Sequence, residues 1–387
     1  MGEPMTVIDV DCHFDVVITP EEHPFRGWMD RIPDTAPFIT DCLVGDLLHS
    51  TPTGSRPGPE ELVPYLPAEN TSSAQQATRP GEFAPGFPVL SPDDRIAWLD
   101  TIGVDHAFLN PGGYAFLLPY LDNDPAAVRA CNDFMADRLE GYTDRLIPVS
   151  VVGWGDLDDT VEELTRMRAR GSRAFWMSGT PFAGKSPAHP DLDRLWSAVT
   201  DLGMIAFLHV GNAPTRFDGG WADAGWEQPG GTGSGGFFRY ANAFRNHAAE
   251  MAIGALAYGG VFGRHPGLTV VIEELGVAWL PHFVERCAGL DLAGPWPFEA
   301  TPSEMLRAHV RASPLPGLGD GNVLDGIFRE LSDMLVFSSD FAHGEGNADP
   351  INLYEPQISN LDPEQRDQFL GENIAACFTR MGDPITR

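Results

Sequence analysis

The sequence predicts an α/β chain folded as a (β/α)8 TIM barrel, and three observations predict it. Short apolar runs alternate with amphipathic stretches from end to end of the 387 residues, as in βα units wrapped around a parallel sheet. Acidic and imidazole side chains stand at the C-terminal ends of several apolar runs, where the loops of such a barrel converge. The length exceeds that of an average domain but suits one barrel with insertions, so residues 1–387 are read as a single domain.

Taken in order, TVIDV is a predicted strand, and DDRIAWLDTIG behind Ser91 and Pro92 is a helix with its start signals intact. VDHAFLN is the next strand, 125–140 a helix, LIPVSVVG a strand, and DTVEELTRMRARG a helix ending on Gly171. SRAFWMS, the helix around LDRLWSAVTDLG and the strand MIAFLHVG continue the alternation. A helix from about Tyr240 to Tyr258 follows, then the strand LTVVIEE, the helix VAWLPHFVERC, the last strand MLVFSSD and a closing helix in PEQRDQFLGENIAACF. Two segments break the rhythm. Residues 51–92 are rich in Pro, Ser, Thr and Gly, and 211–236 in Gly and Trp. Both are predicted loop insertions, the second a lid over the barrel mouth because it follows His209 directly.

With 25 basic against 55 acidic residues the formal charge is −30, which repels nucleic acid and anionic lipid and leaves a small molecule as the expected partner. Cys12, Cys42, Cys131, Cys287 and Cys377 form an odd set without a CxxC, so neither a disulfide framework nor a thiolate zinc site is signalled. A cytoplasmic, non-membrane protein is expected, since the N-terminal stretch has no signal-peptide pattern and no apolar run approaches spanning length.

The candidate chemistry lies at strand ends. Asp11 and His13 share a face of the first strand by the two-residue alternation, with Asp9 deeper as a supporting carboxylate. His209 ends a strand after MIAFL, and Asp340 ends MLVFSSD; a polar group there needs a partner or a metal to offset its desolvation. Oxygen and imidazole donors of this kind suit Zn, Mn or Fe. His247 and Glu250 lie three apart on one helix face, and His343 follows Asp340 in DFAHGEG. His265 and His282 are read as structural. Trp176 at a strand end is a candidate pocket wall, and Trp221, Trp226, Phe237 and Phe238 in or beside the second insertion suggest an apolar or aromatic substrate body.

The stretches IDVDCH, RIAWLDTIGVDHAFLNP, FLHVG, GGVFGRHPGLTVVIEELGVAWLP, FSSDFAHGEG and FLGENIAACF resemble the amidohydrolase-related family that contains aminocarboxymuconate semialdehyde decarboxylase. The resemblance implies ligand roles for His13, His209 and Asp340, with Asp11 in place of the first imidazole of the usual HxH. Where many members carry a histidine in an HxG context, this chain has Glu274, and Glu274, Gly276 and Trp279 resemble an ExGxxW subgroup. With His247 added, the donors Asp11, His13, His209, Glu274 and Asp340 become a set that can hold two ions.

Three functions follow. The resemblance to ExGxxW members regarded as non-haem iron monooxygenases, such as the platensimycin-pathway hydroxylase and aminoisobutyrate hydroxylase, implies a dinuclear iron oxygenase acting on a small organic acid or acyl substrate. The family's majority chemistry implies one Zn or Mn ion serving hydrolysis or decarboxylation, with Asp340 or His343 as the proton-transferring group. A non-catalytic binding subunit is the third. The resemblance also implies a homodimer.

Overall fold

Each strand pairs with the one before it, so that chain order and spatial order coincide through a sheet of seven parallel strands. The computed structural model describes residues 6–14, 91–112, 124–210, 244, 246–315, 320–341 and 349–385. The strands are β1 (Ile8–His13), β2 (His106–Asn110), β3 (Leu146–Ser150), β4 (Ala174–Met177), β5 (Ile205–His209), β6 (Val270–Glu273) and β7 (Val310–Ala312). All but one of their residues are buried, Arg311 in β7 being the exception, as expected of parallel strands with side chains on one face and helices on the other.

Helices fall where capping chemistry starts and stops them. Helix α1 (Pro92–Ile102) begins where the Ser91 hydroxyl accepts the Asp94 N–H, and Gly103 in the left-handed conformation ends it. Helices α2 (Pro125–Arg138) and α3 (Leu157–Arg168) start behind the capping carboxylates of Asp124 and Asp156. Next come α4 (Asp193–Asp201), α5 (Asn246–Tyr258) and α6 (Leu280–Ala288). Helix α7 (Pro302–His309) opens on a reciprocal Thr301/Glu304 capping box.

Two strands depart from expectation. β7 is missing from the sequence reading because it is three residues long, follows α7 without a break and carries a half-exposed arginine at its centre. Conversely, the segment predicted as the last strand is extended but irregular. It still closes the circle. Val336 donates to the Ala312 carbonyl on one side, while Val10 donates to Phe337, Asp340 to Asp11 and His13 to Phe341 on the other. Parallel bridges Ala312–Leu335 and Cys12–Phe341 mark both seams. The 335–341 segment therefore occupies the eighth position of a barrel.

The tail runs Pro363–Asp367, a wider turn Gln368–Glu372, then α8 (Asn373–Arg380). A Cβ on Gly371 would overlap the Thr6 carbonyl oxygen, so only glycine lets the wider turn pack onto the chain just before β1. The insertion 211–236 and all of 51–92 except Ser91 and Pro92 lie outside the described residues. The described cysteines, Cys12, Cys131, Cys287 and Cys377, are buried free thiols. Among the described residues no helix is long and apolar enough to cross a membrane.

Candidate metal centre

β1 does not follow the even alternation assumed from sequence. Asp9 pairs with Ala107 and Cys12 with Leu109, so three steps along β1 match two along β2, a bulge at Val10 and Asp11. Asp9 consequently serves the neighbouring segment. It accepts the Ser339 N–H at 2.9 Å, the Ser339 hydroxyl at 2.5 Å and the Asp11 N–H at 3.2 Å. Burial pushes its carboxyl up to about 7 despite those bonds. This fits the supporting role expected of Asp9.

Beyond the bulge, Asp11 and His13 meet His209 from β5 and Glu274 from the end of β6. One donor atom from each lies within 4.8 Å of all the others, and all four residues are buried. His13 Nε2 stands 3.2 Å from Asp11 Oδ1, 3.0 Å from Glu274 Oε1 and 3.3 Å from Asp340 Oδ1. His209 Nε2 stands 3.6 Å from Asp11 Oδ1 and 3.5 Å from Glu274 Oε1. Ligands about 2.0–2.2 Å from one ion are roughly 3.0–3.6 Å from each other, so these separations match the edges of a single coordination shell. The second nitrogen of His209, Nδ1, lies 2.8 Å from the Val210 carbonyl, which orients the ring with Nε2 toward the cluster.

The charges are mutually dependent. Burial alone would lower the His209 imidazole, but the Glu274 and Asp11 carboxylates outweigh it and raise it well above its ordinary value. Burial would raise Asp11, but hydrogen bonds from His13 and His209 bring it below the usual carboxylate range. A divalent cation is the other means of holding so many carboxylates together out of water.

Backbone strain is concentrated here. Glu274 has φ 53° and Asp340 φ 49°; Ala183, φ 47°, is the other non-glycine residue with positive φ among those described. Each such conformation costs on the order of 1–3 kcal/mol and persists only where surrounding structure enforces it. The left-handed turn at Glu274 also defeats the alternation rule. Glu273 and Glu274 are consecutive, yet both are buried toward the same region.

Asn110 and Glu273 form a polar layer beside the donors that sequence reasoning missed. The Asn110 amide donates to Asp11 Oδ1 at 2.9 Å and to Glu273 Oε2 at 3.2 Å. Burial, then the Asp11 charge, raises the Glu273 carboxyl well above its ordinary value. Asn110 ends β2 and pairs with His13, so the strand-end criterion applied to β1 and β5 would have found it. Glu273 carried no separate signal, because by alternation only one of two adjacent glutamates should face inward.

Other expected residues separate. His247 is exposed on α5 with its ring against Phe244, outside the four-residue cluster, while Glu250 bonds Asn246 and Arg286. The reason is its place on the helix: Ala248 and Ala249 take the buried face, and His247 lies on the exposed one. Trp176 is buried with its ring 6.3 Å from that of His209, at the site's edge. His343, Trp221, Trp226, Phe237 and Phe238 lie outside the described residues. His265 packs against Asp193 at 3.3 Å and His282 is exposed beside Glu285, away from the cluster.

A barrel with convergent carboxylate and imidazole donors at its strand ends defines a candidate metalloenzyme. The family model described as Amidohydrolase matches residues 8–380, and the chain belongs to that family of enzymes. Among solved structures, an amidohydrolase from Mycobacterium avium subsp. paratuberculosis K-10 is similar over 97% of this chain and 100% of its own, at 20% identity and TM-score 0.66. A 2,6-dihydroxybenzoate decarboxylase from Rhizobium is similar over 97% and 99%, at 16% identity and TM-score 0.62. A 5-carboxyvanillate decarboxylase from Novosphingobium aromaticivorans, complexed with manganese and 4-hydroxy-3-methoxy-5-nitrobenzoic acid, is similar over 97% and 96%, at 16% identity and TM-score 0.60. No curated protein matches the chain. The iron oxygenase expected from the ExGxxW resemblance gains no support from these neighbours, and the two-ion inventory loses His247 to the solvent-exposed face of α5.

Proposed function

We propose that the chain is a mononuclear, divalent-metal decarboxylase of a small, carboxylated aromatic or apolar substrate. The observation that carries this reading is the buried cluster of donors from Asp11, His13, His209 and Glu274, in which each histidine stands 3.0–3.6 Å from both carboxylates. Neighbours named for decarboxylation of hydroxylated benzoates, one of them holding manganese, support the reaction class and the metal. Mn or Zn is favoured over Fe.

When bound, the ion would supply a positive centre that draws in and polarises an anionic substrate in a chain of net charge −30. The protein's own groups do the rest. Trp176 offers a flat apolar wall beside His209. In decarboxylation the C–C bond breaks, CO2 leaves, and the electron pair left on carbon takes up a proton. Asp340, held in a left-handed conformation at the end of the closing segment, is the group proposed to deliver that proton, with His343 the second candidate. Asn110 and His209's carbonyl partner keep the donors oriented while this happens.

Reconstituting the apo protein separately with Mn, Zn and Fe, counting ions per chain, and measuring CO2 release from a panel of hydroxylated benzoic acids tests the proposal. One ion per chain and oxygen-independent CO2 release are expected. Two irons per chain with oxygen-consuming turnover would overturn it in favour of the oxygenase, and hydrolysis of ester or amide substrates without CO2 release would replace decarboxylation with the family's other chemistry.

A further inference from the structure

We infer that Asp320 is a positioning residue for Glu274 and forms the remote half of the Glu274-x-Gly276-x-x-Trp279 turn. The inference rests on Glu274 being a metal ligand as proposed above. Asp320 lies 46 residues beyond Glu274 in sequence, on a short turn Asp320–Asn322, and is buried. Its carboxylate accepts three backbone N–H groups. Oδ2 takes those of Val277 at 2.9 Å and Leu315 at 2.8 Å, and Oδ1 takes that of Ala278 at 3.1 Å.

Those bonds fasten the loop leaving β6 to the chain leaving β7. Gly276 has φ 65°, and a Cβ there would stand 3.0 Å from Asp320 Oδ2 and 3.1 Å from Oδ1. Glycine is thus required twice, by its own backbone conformation and by the close approach of the carboxylate. On the other side of the turn the Trp279 indole N–H donates to the Gly276 carbonyl at 2.8 Å. The three spaced residues of the motif therefore play distinct parts, in which Glu274 presents the donor, Gly276 admits Asp320, and Trp279 caps the carbonyl. Glu274 is held at φ 53° because the residues after it cannot relax toward the extended conformation while Asp320 holds their N–H groups. A buried carboxylate is suited to this because it binds several N–H groups at once, where an asparagine offers a single carbonyl oxygen.

The test is cobalt titration of the full-length apo protein, with the visible absorption of Co(II) reporting its ligands and thermal unfolding of the apo protein reporting the fold. Asp320→Asn is expected to bind Co(II) about 10–100-fold more weakly, with a spectrum shifted toward that of Glu274→Gln. The double variant Asp320→Asn/Glu274→Gln is expected to bind no more weakly than Glu274→Gln alone, because Asp320 acts through that side chain. Gly276→Ala, which crowds the Asp320 oxygens without removing them, is expected to weaken binding in the same direction and carries the test if Asp320→Asn does not fold. Wild-type affinity and spectrum in the folded variant, or losses that add in the double variant, would overturn the inference while leaving the metal centre standing. Unchanged Co(II) binding in Glu274→Gln would instead remove Glu274 from the ligand set, and the role of Asp320 with it.

Discussion

Buried histidines at the two ends of the barrel titrate in opposite directions. At the C-terminal ends of the strands, His209 is raised because two carboxylates face it. At the opposite end, His309 immediately precedes β7, bonds the Leu268 carbonyl at 2.7 Å and stacks on Phe262; burial outweighs that bond and lowers it to about 4. His106, at the start of β2, bonds the Asp144 carbonyl and is also lowered by burial. Burial is common to all three. What differs is the partner: a carboxylate favours the imidazolium and, equally, a cation in its place, whereas a backbone carbonyl leaves the ring neutral. One end therefore favours a charged imidazole, and the other, where Arg380 and Arg311 stand near His309 and Arg145 and Arg173 near His106, keeps its histidines neutral.

The contrast is broken most severely at the ligand end. Glu274→Gln exchanges a charged oxygen donor for a neutral amide, and is expected to weaken metal binding by about two orders of magnitude or more, beyond what loss of a merely supporting group produces. Chelator-competition titration measures it. Asp340→Asn keeps the shape of the side chain but removes the titratable group proposed to deliver the proton, and turnover is expected to fall about 10²–10⁴-fold. Steady-state CO2 release at saturating metal decides, and turnover within a few-fold of wild type would remove Asp340 from the chemistry.

At the other end the effect is on stability and has a definite sign. His309 has its folded-state value depressed, so the unfolded chain takes up a proton that the folded chain refuses as pH falls from about 6.5 toward 4. Stability from this group is complete above pH 6.5 and is lost through that window, by about 1–2 kcal/mol at pH 5. His309→Gln should lose correspondingly less between pH 7 and pH 5, measured by urea unfolding. An identical decline in both proteins would show that the ring is not held neutral. The smallest effect is expected from Ser339→Ala, which deletes the hydroxyl's bond to Asp9 and the one it accepts from the Phe341 N–H, and should cost about 1 kcal/mol at pH 7 in the same assay.

Much of the fold was legible because a parallel barrel repeats a local rule, and local rules are written in periodicity and caps. Ser91, Asp124 and Asp156 start their helices in the structure through side-chain bonds to the first turn. β7 escaped because three residues carry too little pattern, and the closing segment was read as regular because its apolar run conceals the left-handed Asp340. Glu274 was readable through the family resemblance, and Asp11, His13, His209 and Asp340 as strand-end polar residues. Asn110 was readable by the same criterion and passed over, while Glu273 and Asp320 were hidden. Asp320 is hidden because its partners are backbone N–H groups of a distant loop, which no side-chain pattern reports.

By itself the sequence determined the order of the barrel's elements and the chemical types brought to the strand ends, since both follow from interactions between residues close along the chain. Tertiary structure alone decided which of those groups converge. The bulge in β1 turns Asp9 away from the donors that Asp11 and His13 join, and helix α5 keeps His247 on its exposed face. The positive φ at Glu274 sets two adjacent glutamates on the same side. Each of these outcomes depends on contacts between segments far apart in the chain, whose free energy is defined only once the barrel has closed.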